Sequence, residues 1–237
     1  NYYIGNNLIL IIGMIKKNIP NFFTSLNLIC GCLASYFAFK SLFEAAFILV
    51  LVGVFFDLFD GFFARLLKVE SNFGLQFDSM ADLITSGLVP GIVMYKLLLQ
   101  VGIKEMDFSI NIINVDFIFS FSPLAIIGFI ITLSSAIRLT RFNLDISQKD
   151  EFSGLPAPAN ALFIVSLPIL FDHPFFNSLK PFVFSFPALL IITLLSSILM
   201  NLRFRLFTFK LNSFKINENL YQITFFIVGV ILFYFLN

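Results

Sequence analysis

Four aspartates, Asp57, Asp60, Asp78 and Asp82, stand close together between strongly apolar stretches of the chain. An ionised aspartate in the apolar zone of a bilayer costs about 2.5–3.5 kcal/mol, and four together also repel one another. Such a cluster persists only where cations neutralise it or where it faces water. Spacing decides how the side chains point. Asp57, Asp60, Gly61 and Ala64 stand at offsets 0, 3, 4 and 7, which is one face of a helix. Gly74, Asp78 and Asp82 step by four, again one face. The stretch between the two sets is short, so their helices are antiparallel neighbours and both aspartate pairs can converge on one pocket. Gly61 and Ala64 lack bulk and leave room for a flat group beside the carboxylates. Clustered hard oxygen ligands suit Mg²⁺, Mn²⁺ or Ca²⁺ rather than a soft metal. Two such ions a few ångströms apart are the usual clamp for displacement at phosphorus. Single aspartates at helix ends are commonly caps or solvated residues. Four on two facing stripes, with Arg65 alongside, do not fit that description.

The elements that must hold these residues follow from composition. Of 237 residues, 59% are hydrophobic and only 12% charged, whereas a soluble domain carries roughly 25% charged residues. A water-soluble enzyme is thereby excluded, as is a disordered chain. With 15 Lys+Arg against 14 Asp+Glu, no basic excess is left for nucleic acid. A bilayer-spanning helix needs about 20 mostly apolar residues, and runs of that kind occur at 22–39, 43–67, 77–101, 117–139, 157–171, 181–200 and 220–236. The expected fold is therefore all-α, a polytopic transmembrane bundle. If Lys16 and Lys17 are cytoplasmic and the spans alternate, Arg65, Lys68, Arg138, Arg141, Lys149, Arg203, Arg205, Lys210 and Lys215 join them, leaving Lys40, Lys96, Lys104 and Lys180 opposite. This strong asymmetry places the N-terminus and the aspartates at the cytoplasmic side. Residues 1–15 do not read as a secretion signal, because the positive charges follow the apolar stretch. Met14 reads as a native start with an upstream extension before it. Cys30 and Cys32 read as small core residues, and His173, between Asp172 and Pro174, as a loop residue.

The full string is Asp57-x-x-Asp60-Gly61-x-x-Ala64-Arg65, eight residues, then Gly74-x-x-x-Asp78-x-x-x-Asp82. It resembles, without departure, the motif of the CDP-alcohol phosphatidyltransferases. The resemblance implies a six-helix membrane core over roughly 20–200, and the apolar and charge pattern leaves an N-terminal cytoplasmic or interfacial segment at 1–19 before it and a basic loop with one extra span at 201–237 after it. It implies two-metal transfer of a phosphatidyl or similar group from a CDP-linked donor to an alcohol, with release of CMP. Carried onto this chain, Asp57, Asp60 and Asp78 become ligands of two divalent cations, and Asp82 a ligand that also serves as general base. Asp60, Gly61, Ala64, Arg65 and Gly74 border the cytidine diphosphate. A homodimer is the family's usual state.

Two further stretches bear on the acceptor. Asn21, Thr24 and Asn27 recur every three residues on or near one face of the first span. Capping and interhelical hydrogen bonds would account for them, while the resemblance makes Asn21 and Thr24 cytidine contacts. Arg138, Arg141 and Asn143 close the fourth span, and an arginine pair can hold a carboxylate or a phosphate through bidentate hydrogen bonds. Arg138-x-x-Arg141-Phe142-Asn143 followed by Phe152-x-Gly154-Leu155-Pro156-x-Pro158 resembles the phosphatidylserine synthase branch of the family. That branch implies CDP-diacylglycerol and serine as substrates, a bacterial cytoplasmic membrane, and Arg138, Arg141 and Asn143 at the acceptor. Glycerol 3-phosphate or inositol phosphate would satisfy the arginines equally by charge. A divalent-cation transporter is the reading from another class. It fits less well, since transporter sites lie near the midplane on repeated halves and these aspartates occupy one end of two spans.

Overall fold

The computed structural model describes residues 2–102, 105–112, 115–144, 154–172, 174–176 and 178–202. The seventh expected span, the basic loop before it, Lys104, Lys149 and His173 lie outside the described residues. So do Phe152 and Ser153.

Helix α1 runs from Tyr2 to Phe39, and its apolar part, Lys16–Phe39, is long enough to cross a bilayer. A tight turn at Lys40–Leu42, with Ser41 at φ 59°, reverses the chain into α2, Phe43–Leu67. The next reversal sets up the acidic site. Lys68 adopts a left-handed conformation, and its N–H closes α2 on the carbonyls of Ala64 and Arg65. Ser71 then caps the following helix by accepting the Gly74 N–H at 3.0 Å. Only residues 68–71 separate the two helices, so they must lie antiparallel. The helical rod Asn72–Gln100 comprises α3 (Asn72–Asp82), a π-helical turn (Leu83–Leu88) and α4 (Val89–Gln100). It begins before the expected position 77, because the cap at Ser71 draws Gly74 into the first turn.

Two strands follow, β1 (Met106–Ile112) and β2 (Val115–Phe121), paired antiparallel with Phe108 opposite Phe119. This corrects the expected fourth span at 117–139. Its first residues belong to a strand, and the spanning element is Ala125–Leu144, a 3-10 turn (Ala125–Phe129) continuing into α5 (Ile130–Leu144). Met-Asp-Phe-Ser-Ile-Asn-Ile and Val-Asp-Phe-Ile-Phe-Ser-Phe largely alternate apolar and polar residues, which is the period of a strand. The apolar density of the second masks that alternation. Helix α6, Ala157–Asp172, matches its expectation. The sixth span is broken, into α7 (Lys180–Val183) and α8 (Phe186–Asn201), with Ser185 extended between them and Pro187 in the first turn of α8.

The result is an all-α polytopic membrane bundle with, among the described residues, one hairpin, four helices long and apolar enough to span and two shorter apolar ones. Val50, Val93, Met94, Ile131, Ile164 and Leu189 are fully buried between the helices. Phe55, Leu58, Phe62, Leu133 and Ile198 are exposed on the outer surface, as lipid-facing side chains are. Cys30 is buried, but Cys32 is exposed on that surface, correcting its assignment to the core. Residues two apart on a helix point to different sides, so only one of them reaches the interior.

The Ser71 cap is a testable joint of the acidic pair. Ser71→Ala should lower stability in detergent by about 1 kcal/mol, and Ser71→Asp should restore most of it. Unfolding midpoints of the three proteins measure this, and an unchanged midpoint for Ser71→Ala contradicts the cap.

Candidate active site

The antiparallel turn brings both aspartate pairs together. Carboxylate oxygens of Asp57, Asp60 and Asp78 all lie within 4.8 Å of one another. Asp82 stands outside this compact trio, yet close enough to Asp57 and Asp60 for mutual repulsion. Asp60 is only 6% exposed. One oxygen of Asp78, Oδ1, is buried without a hydrogen-bond partner. A buried anionic oxygen left unpaired is strongly unfavourable, and three carboxylates at this separation make a hard-oxygen cradle for a divalent cation. The donor set and the orphaned oxygen fit a metal ion.

Helix α1 supplies neutral partners. Thr24 Oγ1 donates to Asp60 Oδ2 at 2.6 Å, and Asn27 Nδ2 donates to Asp82 Oδ1 at 3.1 Å. Asn27 is itself oriented from the π-helical turn: Thr85 Oγ1 donates to Asn27 Oδ1 at 2.8 Å and lies 3.2 Å from the Asn27 carbonyl oxygen. This meeting of three helices requires the absence of a side chain on α2. A Cβ at Gly53 would stand 2.9 Å from Thr85 Cγ2 and 3.0 Å from Asn27 Oδ1. Asn27 and Thr85 thus form a buried relay behind Asp82, which the spacing of Asn21, Thr24 and Asn27 only half disclosed. Thr85 carried no signal, because it is brought in by a π turn that shifts the helix phase just after Asp82.

The other expected residues are distributed around this centre. Arg65 is exposed and lies across Gly61, where a Cβ would meet its Nη1 at 3.3 Å. Asn21 reaches the start of α3, its Oδ1 being 3.5 Å from the position of a Cβ on Gly74. Ala64 is half-buried one turn beyond Asp60. Asn143 Nδ2 donates to Ser79 Oγ at 2.9 Å, tying the end of α5 to the helix that carries Asp78. The arginine pair does not act as one unit. Arg138 lies within electrostatic range of Asp82 and keeps a buried, unpartnered Nε. Arg141 is exposed, and its Nη1 reaches Asn201 Oδ1 at 3.4 Å. Asn201 in turn donates to Ser134 Oγ at 2.6 Å, so α8 closes this side of the bundle.

A cluster of carboxylates with hydroxyl and amide supports, at one end of a membrane bundle, has the donor chemistry to hold a divalent cation. A sequence profile of the CDP-alcohol phosphatidyltransferases matches residues 17–209. The chain belongs to the CDP-alcohol phosphatidyltransferase family. Among its relatives, the CDP-diacylglycerol–serine O-phosphatidyltransferase of Helicobacter pylori is 31% identical over 186 residues, covering 76% of this chain and 70% of the relative. The enzyme of the same name from Bacillus subtilis is 30% identical over 158 residues, covering 65% of this chain and 77% of its own length. An archaetidylserine synthase of Methanothermobacter thermautotrophicus is 31% identical over 150 residues, or 62% of this chain and 56% of that protein. Every motif residue of this CDP-alcohol phosphatidyltransferase lies inside the matched region, and so do Asn27 and Thr85.

Removing the Thr85 hydroxyl leaves the buried Asn27 amide oxygen without that donor. Thr85→Val should therefore cost about 1–3 kcal/mol of stability, while Thr85→Ser keeps the donor and most of the stability. Equilibrium unfolding in detergent checks this. A loss in Thr85→Ser with none in Thr85→Val would show that the methyl group, not the hydroxyl, is what the site needs.

Proposed function

We propose that this chain is an integral membrane CDP-diacylglycerol–serine O-phosphatidyltransferase, transferring the phosphatidyl group of CDP-diacylglycerol to the hydroxyl of L-serine. The observation that carries the proposal is the convergence of Asp57, Asp60 and Asp78 on one centre, with Asp82 beside it, in a chain whose relatives bear that activity as their name. We further propose a bacterial cytoplasmic membrane with the site at its cytoplasmic face. Lys16, Lys17, Arg65, Lys68, Arg138 and Arg141 cluster at the acidic end of the bundle, as cytoplasmic loops do. A homodimer is carried into the proposal on family resemblance alone.

Asp57, Asp60 and Asp78, with Asp82 adjoining them, would hold two divalent cations, Mg²⁺ or Mn²⁺. When bound, such ions neutralise the donor's diphosphate and the charge growing on the departing CMP. The chain's own residues do the rest. Asn21, Thr24, Gly61, Ala64, Arg65 and Gly74 border the cytidine diphosphate, with Thr24 also fixing Asp60. Lipid enters sideways between helices, and serine arrives from the water side. Asn27 holds Asp82 through Oδ1, so Oδ2 is assigned the proton of the serine hydroxyl. As that proton leaves, the serine oxygen bonds to the phosphatidyl phosphorus and the bond from phosphorus to the CMP oxygen breaks. A hydroxyl is a poor nucleophile at neutral pH, and a carboxylate in hydrogen-bond reach lowers that barrier. Arg138, the half-buried member of its pair, faces the serine carboxylate, with Arg141 and Asn143 at the rim of the acceptor site. Glycerol 3-phosphate is the competing acceptor, because a phosphate would satisfy the same arginines.

Purified protein given CDP-diacylglycerol, labelled serine and Mn²⁺ or Mg²⁺ should form labelled phosphatidylserine and CMP, and a chelator should abolish both. Release of CMP with glycerol 3-phosphate but not serine would reassign the acceptor and leave the chemistry in place. Within the same assay, Asp82→Asn should abolish turnover and retain much of the binding of CDP-diacylglycerol, whereas Asp60→Asn should damage both. Equal loss of donor binding in the two variants would contradict the separation of base from ligand.

A further inference from the structure

The hairpin lies apart from the acidic site in both sequence and space. It joins α4 to the span that begins at Ala125, at the opposite end of the bundle from the aspartates. Its two faces differ sharply. Met106, Phe108 and Ile110 on β1 stand opposite Phe121, Phe119 and Phe117 on β2, making one face wholly apolar. Phe108, Phe119 and Phe121 stack on that face with ring centroids 4.6–5.9 Å apart. The other face carries Asp107 bonded to Ser120, Asn111 bonded to Asp116, and Ser109 opposite Ile118. Among the described residues, neither strand packs extensively on any helix. Met106, Ile110, Phe117 and Phe119 are consequently exposed. A lone two-stranded hairpin is at best marginally stable in water, and an exposed aromatic face of this kind calls for a covering surface.

We infer that the apolar face of the β1–β2 hairpin seats on the lipid surface, at the boundary of headgroups and acyl chains, on the side of the membrane opposite the acidic site. The tethers leave it no distant alternative. Residues 101–105 separate it from the end of α4, and 122–124 from the next span. At about 3.3–3.6 Å per residue the shorter tether reaches only about 11 Å, comparable with the headgroup layer. The apolar face also continues the lipid-facing surface of the bundle, since Leu124 and Ile126 at the entry to the next span are exposed as well. Asp107 and Asp116, on the reverse face, then point to water. Amphipathic elements bury their apolar side about 5–10 Å into this boundary.

The chain contains no tryptophan, so a single introduced one reports its own surroundings. Phe117→Trp places the probe on the apolar face and Ser109→Trp on the polar face of the full-length protein. Both are reconstituted into phosphatidylcholine vesicles with and without brominated acyl chains. The expected result is a blue-shifted Phe117→Trp emission that loses most of its intensity to brominated lipid, with Ser109→Trp red-shifted and little quenched. Ile110→Trp, directly across from Phe117, repeats the measurement should Phe117→Trp fail to fold. Probes on both faces that emit as water-exposed groups and escape quenching would overturn the inference. So would a blue-shifted Phe117→Trp that escapes brominated lipid and turns red on dilution of protein in lipid, because that marks a second copy as the cover.

Discussion

Repulsion among carboxylates in a medium of low polarity is the constraint around which this protein is built. Asp57, Asp60 and Asp78 crowd within 4.8 Å at the end of apolar helices, and Asp82 adds its charge beside them. The partners supplied by the fold, Thr24 and Asn27, are neutral, and the charge of Arg138 stands farther off. Folding alone therefore leaves the site short of positive charge. Divalent cations held by these carboxylates would supply the positive charge that the polypeptide leaves out.

The surrounding structure serves that centre by making close approach geometrically obligatory. A four-residue reversal at 68–71, closed by left-handed Lys68 and capped by Ser71, sends the chain from one acidic helix back into the other, and α1 packs on both. The lack of a side chain at Gly53 admits Thr85 to the back of Asn27. The π turn after Asp82 turns that threonine inward, so that one hydroxyl governs the amide that governs the carboxylate. Asp60 and Asp82 are thus both held directly from α1, by Thr24 and by Asn27, and only Asn27 is itself fixed by a second buried hydroxyl. That difference matches the separate roles proposed for the two residues.

What could be read in advance was whatever depends on helical period. The convergence of the aspartates and the bundle itself follow from offsets of three, four and seven and from runs of apolar residues. What could not be read depends on departures from that period or on distant partners. Strand β2 is dense enough in phenylalanine to pass for the start of a span, although its alternation with Asp116 and Ser120 is visible once the pairing with β1 is known. Arg138 and Arg141, three apart on one helix, look like one clamp. Asn201, from a helix distant in sequence, draws Arg141 away. No local signal announces such a partner.

The central claim, that these carboxylates form a shared divalent-cation centre, is tested most directly by anomalous diffraction from crystals of the protein grown with Mn²⁺. The account predicts two anomalous peaks, both bounded by Asp57, Asp60, Asp78 and Asp82. Peaks elsewhere, or none among these four side chains while the protein remains active, would contradict it.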